Sequence, residues 1–213
     1  MTEIQNFVDG VVDGRLSDSD VETWMRNVFD NGLSESETVE LTHAMLHSGT
    51  VLEWPEEWKH LVVDKHSTGG IGDKVSLILA PALAACGLKC PMIAGRGLAH
   101  TGGTLDKLES LQGYDVSVTP EQASKMVHMI GCMIGGQTGE IAPADKRMYA
   151  IRDVTGLIAS TPLITGSILS KKAAEGLAAL VMDIKVGRAA FMQTLDEARV
   201  LAKSIVSTGN GLG

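Results

Sequence analysis

The sequence predicts an α/β protein: a small all-helical domain joined to a mostly parallel α/β sheet domain that is cut short at its far end. Three observations predict it. Apolar residues in the first fifty positions recur with the period of a helix; from residue 61 onward short apolar runs alternate with helical stretches; and two of those runs lead into glycine-rich turns. A chain of 213 residues, 44% hydrophobic and 21% charged, is long enough for one large or two small cores. Its net charge of −8 disfavours nucleic acid and acidic membranes as partners, so an anionic ligand must be held by a local cluster of donors. Three cysteines, ten methionines and no leader-like N-terminus suit a reducing, cytoplasmic setting. The longest apolar run, 75–87, is too short for a bilayer and is expected to be broken by Pro81.

Three amphipathic helices open the chain. Ile4, Phe7, Val8, Val11 and Val12 mark the first. Val21, Trp24, Met25, Val28 and Phe29 mark the second, after Ser17 as N-cap. Ser34 and Glu37 form a capping box for a third, which carries Leu41, Met45 and Leu46 and stops at Gly49. A strand is then predicted at 61–64, a helix near 74–86, a strand at 90–94, a helix from Thr104 and a strand at 114–118. Thr119, Pro120 and Gln122 open the next helix, with proline at its favoured first position, and a fourth strand covers 132–136. Helix returns over 144–176, an apolar strand covers 178–186, and Thr194 with Glu197 caps a last helix to about Ser207. The closing G-N-G-L-G reads as a turn, which makes the sheet look interrupted. The domain division expected is 1–55 with 144–176 for the helical unit, and 60–140 with 177–213 for the sheet unit.

The stretch V-V-D-K-H-S-T-G-G-I-G-D-K-V-S-L, residues 62–77, places glycines 69, 70 and 72 between a strand and a helix start. Helix N-termini present free N–H groups and a favourable dipole to anions, and glycine lets the backbone approach closely. Lys65, Ser67 and Ser76 add a cation and two hydroxyls, so the turn is a candidate phosphate cradle. The spacing fits neither a Walker loop nor a dinucleotide fingerprint, and glycines that only relieve a tight turn are the plainer alternative. A second glycine loop, 95–104, offers Thr104, its own N–H groups, and Arg96 and His100, for which a structural role is at least as well supported.

Ser167 and Lys171 stand four apart on one helix, and Arg152 lies on the segment before it. Two cations and a hydroxyl can read an oxygen-bearing heterocycle and stabilise negative charge on it. The alternative from spacing alone is that Arg152 pairs with Asp153 or Glu175 while Lys171 is solvated beside Lys172. Cys86, Cys90 and Cys132 make a poor metal set and read as buried thiols. His43 and His47, four apart, read as an exposed helix face. No metal is indicated.

The segments K-H-S-T-G-G-I-G-D-K-V-S, G-R-G-L-A-H-T-G-G-T-L-D-K-L-E-S, P-A-D-K-R-M-Y-A-I-R-D-V-T and P-L-I-T-G-S-I-L-S-K-K closely resemble the thymidine/pyrimidine-nucleoside phosphorylase family. The stretch L-E-W-P-E-E-W and the helix L-A-P-A-L-A-A-C-G look most like its animal members. The resemblance implies phosphorolysis: inorganic phosphate, a co-substrate and not a cofactor, attacks a pyrimidine (deoxy)nucleoside to give the free base and (deoxy)ribose 1-phosphate. It implies that Lys65, Ser67, Ser76 and Thr104 bind phosphate. It implies that His66, Arg152, Ser167 and Lys171 bind the pyrimidine, with His66, Arg152 and Lys171 acting on the chemistry. It also implies a homodimer, and two units that close on each other around the substrates. The competing expectations are a related phosphoribosyltransferase and a catalytically impaired fragment, because the chain lacks the family's first helix and about its second half. Ala94 stands where the family usually has a phosphate-contacting serine, a loss of about 1–3 kcal/mol in binding. Ala99 and Gly166 also depart from the pattern, and strain is expected in the turn at Arg188 to Ala190.

Overall fold

The computed structural model describes residues 2–70, 73–97 and 101–212. Local capping sets the first three helices. Helix α1 (Glu3–Asp13) starts at Thr2, whose side chain accepts from the Gln5 N–H, and ends at Gly14 in the left-handed region. Helices α2 (Asp18–Asn31) and α3 (Glu35–Leu46) each begin with a reciprocal box, Ser17 with Asp20 and Ser34 with Glu37. Their apolar faces meet over Phe7, Val8, Val21, Met25, Leu41 and Met45. Val12 and Phe29, expected in that core, are exposed at the edges of their stripes.

A 3₁₀ turn (Lys59–Leu61) leads into β1 (Val63–Ser67), two residues later than the apolar run implied. Helix α4 (Val75–Ala85) runs through Pro81 instead of breaking there, held by Leu77, Ala80 and Leu83 against the sheet. Strand β2 (Cys90–Ala94), helix α5 (Thr104–Leu108), helix α6 (Pro120–Ile130) and β3 (Cys132–Gly136) follow. The predicted strand at 114–118 does not form. Its ladder reduces to one bond, from the Gly136 N–H to the Val116 carbonyl (2.9 Å). Asp115 accepts from the Ser117 N–H (2.8 Å), a local bond that competes with strand pairing. Val116 and Val118 are buried all the same.

Helix α7 (Pro143–Thr155) and α8 (Thr161–Ala174) are separated by a loop that begins at Gly156 (φ 72°). Helix α8 is buried on nearly every side, between α3, α7 and a final helix α9. Strand β4 (Ala179–Asp183) precedes α9 (Leu195–Gly211), which is capped by Thr194 and Glu197 as predicted. Gly209 and Gly211 continue this helix instead of forming a turn, Gly213 lies outside the described residues, and α9 packs Leu201 and Ile205 with Ile164 and Ile168 of α8.

Every described strand pair is parallel: β1 with β4 (Val63 opposite Ala179) and β2 with β3 (Cys90 opposite Cys132). The two pairs join through a single bridge, Val62 to Lys89, flanked by the bonds Val63 N to Lys89 O and Lys89 N to Leu61 O. The order is therefore β4-β1-β2-β3, and the carboxyl ends of β1, β2 and β4 (Ser67, Ala94, Asp183) lie along one edge. Among the described residues no helix is long and apolar enough to cross a membrane. Cys90 is buried, but Cys86 is exposed, because it sits past the end of α4 instead of on its packed face. His43 and His47 are both exposed, their ring centroids 4.3 Å apart.

Candidate active site

One cleft lies along that edge, between the glycine turns and helices α7 and α8. All eight predicted site residues line it: Lys65, His66, Ser67, Ser76, Thr104, Arg152, Ser167 and Lys171. The sheet puts Lys65, His66 and Ser67 at the end of β1, the start of α4 supplies Ser76, and α5 supplies Thr104.

A carboxylate that sequence reasoning passed over organises the Lys65–Ser76–Thr104 side. Asp73 Oδ1 accepts from Lys65 Nζ (2.6 Å), while Oδ2 accepts from Ser76 Oγ (2.9 Å) and faces Thr104 Oγ1 at 3.5 Å. Burial pushes the Asp73 carboxyl upward, but the Lys65 and Ser76 hydrogen bonds outweigh it and hold it below the usual carboxylate range. Asp183, at the end of β4, lies 3.7 Å from the same ammonium. Ser67 Oγ accepts from the Gly69 N–H (3.2 Å). Gly70 has φ +92°, and a Cβ there would lie 2.6 Å from Ala190 Cα. The turn therefore requires glycine.

The second loop differs from expectation. The N–H groups of Gly97 and Gly103 both donate to Asp106 Oδ2 (2.8 and 2.7 Å), so these two are committed inside the protein. Arg96 makes a bidentate pair with Glu109 (2.6 and 2.7 Å), which is the structural role. His100 and Ala99 lie outside the described residues. Ala94 faces the cleft, where it brings no hydroxyl. Gly166 faces Met45 and Leu41 at ordinary contact distances, so space does not demand glycine there. Nor is the turn at Arg188 to Ala190 strained as expected: the left-handed conformation falls on Gly187 (φ +123°).

Opposite the cradle, burial decides the cationic side. Arg152 is 2% exposed and donates to three backbone carbonyls, Leu157 (2.9 Å), Ile158 (3.0 Å) and Leu163 (3.1 Å). The loop after α7 and the first turn of α8 thus aim the guanidinium while leaving its hydrogen bonds off any carboxylate. Burial lowers its pKa, Asp145 partly offsets that, and an arginine stays charged.

Lys171 is not solvated beside Lys172; both are 1% exposed. Its Nζ donates to Asp145 Oδ2 (2.6 Å), to Ser167 Oγ (2.9 Å) and, at short range, to the Ser167 carbonyl. Lys172 points the other way, into the sheet, to Asp64 Oδ2 and Glu175 Oε1 (2.5 Å each) and the Ile93 carbonyl (2.8 Å). Glu175 Oε1 also accepts from the Ile93 N–H (2.7 Å), which closes the contact among β1, β2 and α8. Glu175 is therefore the partner of Lys172, not of Arg152.

His66, half-buried at the end of β1, lines the same cleft. Burial, then the Lys172, Lys171 and Lys65 charges, push its pKa well below the usual value and keep the imidazole neutral at pH 7. A neutral ring can offer one N–H as a hydrogen bond but holds no ready proton to give away. Sequence reasoning missed Asp73, Asp145, Asp64 and the cleft-lining Tyr149 and Phe191. Asp64 and Asp73 lie inside the quoted glycine motif, and Asp145 and Tyr149 inside the quoted P-A-D-K-R-M-Y segment.

Residues 59–213 match the family described as glycosyl transferase family, a/b domain. The chain is 54% identical over 211 residues to thymidine phosphorylase of Rattus norvegicus, covering 99% of this chain and 44% of the relative. The thymidine phosphorylase of Agrobacterium fabrum is also 54% identical, with 99% and 48% covered, and that of Homo sapiens 53%, with 99% and 44%. The chain thus spans about half the length of the curated relatives it matches. A solved anthranilate phosphoribosyltransferase from Thermus thermophilus superposes with a TM-score of 0.59 at 18% identity, covering 95% of this chain and 63% of that one, which shows a shared fold.

Proposed function

The chain belongs to the glycosyl transferase family through its a/b domain, and on that premise we propose that it carries the site for phosphorolysis of thymidine and related pyrimidine deoxynucleosides. The products are thymine and 2-deoxyribose 1-phosphate. The observation that carries the reading is the convergence on one cleft of a hydroxyl-and-ammonium cradle (Lys65, Ser67, Ser76, Thr104) and a facing cationic pair (Arg152, Lys171). Phosphate held in the cradle is itself the nucleophile, so no covalent enzyme intermediate is needed and positioning supplies much of the rate. As the glycosidic bond breaks, positive charge grows on the sugar and negative charge on the departing base. Arg152 and Lys171, with Ser167 between them, stabilise that anion from fixed positions. His66, neutral, donates a hydrogen bond to a base oxygen. The reading extends to a cytoplasmic homodimer that needs phosphate as co-substrate and no cofactor.

The test is release of thymine from thymidine and phosphate by the purified, folded protein. Arg152→Ala and Lys171→Ala should each lower kcat/KM by about 10²-fold or more. Release of pyrophosphate from a phosphoribosyl diphosphate, with none of thymine from thymidine, would replace this reading with the phosphoribosyltransferase one. No turnover of either substrate by the folded chain would refute it.

A further inference from the structure

The geometry points to Asp145 as a positioning residue of this cleft: its carboxylate fixes the Lys171 ammonium in place and keeps it charged where the base would depart. The inference rests on the reading above for what leaves, but not for the contact itself. Asp145 is on the first turn of α7 and Lys171 on α8, so the pair ties together the two helices that carry the cationic side. Both side chains are 1% exposed, and Asp145 lies behind the cleft while Lys171 lines it.

Water cannot supply the hydration that a buried ammonium loses, so its donors must be met by protein. Ser167 meets two contacts with neutral oxygens, the hydroxyl and the carbonyl; Asp145 alone brings a countercharge, at 2.6 Å. Asp145 is itself committed to this role. Among the described residues its Oδ2 has one further neighbour, Gln137 Nε2 at 3.4 Å, and its Oδ1 is buried without a hydrogen-bond partner. A carboxylate so poorly served elsewhere is held in place chiefly by the ammonium it faces.

The charged and titratable groups around Lys171 come from three elements. Helix α7 gives Asp145, Tyr149 and Arg152, α8 gives Lys172, and β1 gives His66. Arg152 and Lys172 repel the Lys171 charge, and burial opposes it more strongly still, so its pKa lies below the usual lysine value even with Asp145 present. Without the Asp145 charge nothing among these groups remains to favour the ammonium, and the Lys171 pKa would fall further.

The experiment follows the Lys171 side chain directly. Protein carrying ¹³C at lysine Cε is titrated by NMR, the Lys171 signal being assigned by its loss in Lys171→Arg. The pH profile of kcat/KM for thymidine is measured in parallel. Asp145→Asn should move the Lys171 titration down by a pH unit or more and carry the alkaline limb of the profile with it. Asp145→Glu, which keeps the charge but displaces it, should move the titration less. It should also raise KM for thymidine at least threefold with KM for phosphate unchanged. A role in folding alone would lower activity evenly across pH without moving the limb. If Asp145→Asn does not fold, the Glu variant decides by its KM split. Lys171 titrating in Asp145→Asn as in the wild type, or equal changes in both KM values for Asp145→Glu, would overturn the inference. Absence of thymine release by the wild type would sink the proposed reaction instead, and the NMR titration would still decide the role of Asp145.

Discussion

Replacing Lys172 with methionine tests the buried ion cluster beneath the cleft. The ammonium sits 2.5 Å from both Asp64 and Glu175, and all three residues are at most 3% exposed. Burial depresses the Lys172 pKa, but the two carboxylates more than reverse that and hold it above its ordinary value. Burial, then the neighbouring Asp64 charge, push Glu175 well above the usual carboxylate range, and Lys172 offsets this only in part. Methionine matches the stem and removes the charge. Glu175 can remain protonated, but the cluster keeps one carboxylate with no cation, a loss of about 3–5 kcal/mol. For a chain of this size that corresponds to a fall in Tm of about 6–20 °C.

The pH dependence has a definite sign. In the variant Glu175, already held well above its unfolded value, loses the Lys172 charge that lowered it, so its protonation favours the native form. The deficit relative to wild type should be smallest below about pH 4 and grow as pH rises above the unfolded carboxyl value. Calorimetric and urea unfolding of Lys172→Met at pH 4.5 and 7.5 measure it, with Lys172→Met combined with Asp64→Leu and Glu175→Gln as the compensated control. That triple variant should recover most of the stability, because a packed apolar group can replace a buried ion cluster. A loss under about 1 kcal/mol at pH 7.5, or a triple variant no more stable than the single one, would refute the reasoning.

Two further outcomes follow from the site. Gly70→Ala should lower both Tm and phosphate affinity, since its φ of +92° strains alanine and the new Cβ would meet Ala190 Cα at 2.6 Å; unchanged melting and phosphate KM would show that the turn tolerates a side chain. His66 has a folded pKa below its unfolded value, so its contribution to stability is complete above about pH 6.5 and lost as pH falls, by at most ~1.4 kcal/mol per unit. Urea unfolding of His66→Gln should therefore lose less stability than wild type between pH 7 and pH 5, and equal losses would count against a neutral buried ring.

The helices were legible because their signals are local. Capping at Ser17, Ser34, Thr119 and Thr194 depends on residues three apart, and the amphipathic stripes depend on neighbours one turn away. The strands were legible to within a few residues, except at 114–118, where alternation was present but a strand also needs a partner along its length. The grouping of Lys65, Ser67 and Ser76 in one cleft was legible because β1, its glycine turn and the start of α4 are consecutive in the chain. Asp73 belongs to the same stretch and was passed over because its role is to hold other donors.

The sequence by itself determined which side chains would reach the cleft: Lys65, His66, Ser67, Ser76 and Thr104 sit at a strand end or a helix start, Ser167 and Lys171 share one helix face, and adjacency along a chain survives folding. Only the tertiary structure decided their electrostatic state. Lys171 meets Asp145 across 26 residues and Lys172 meets Asp64 across 108, while Arg152 is held by backbone carbonyls rather than by an acid. Whether an ammonium is solvated or buried, and which carboxylate faces it, depends on how α7 and α8 pack over the sheet. Consecutive lysines on one helix look alike in the sequence, yet their side chains diverge by the angle between adjacent helical positions, so one turns to the cleft and the other into the sheet.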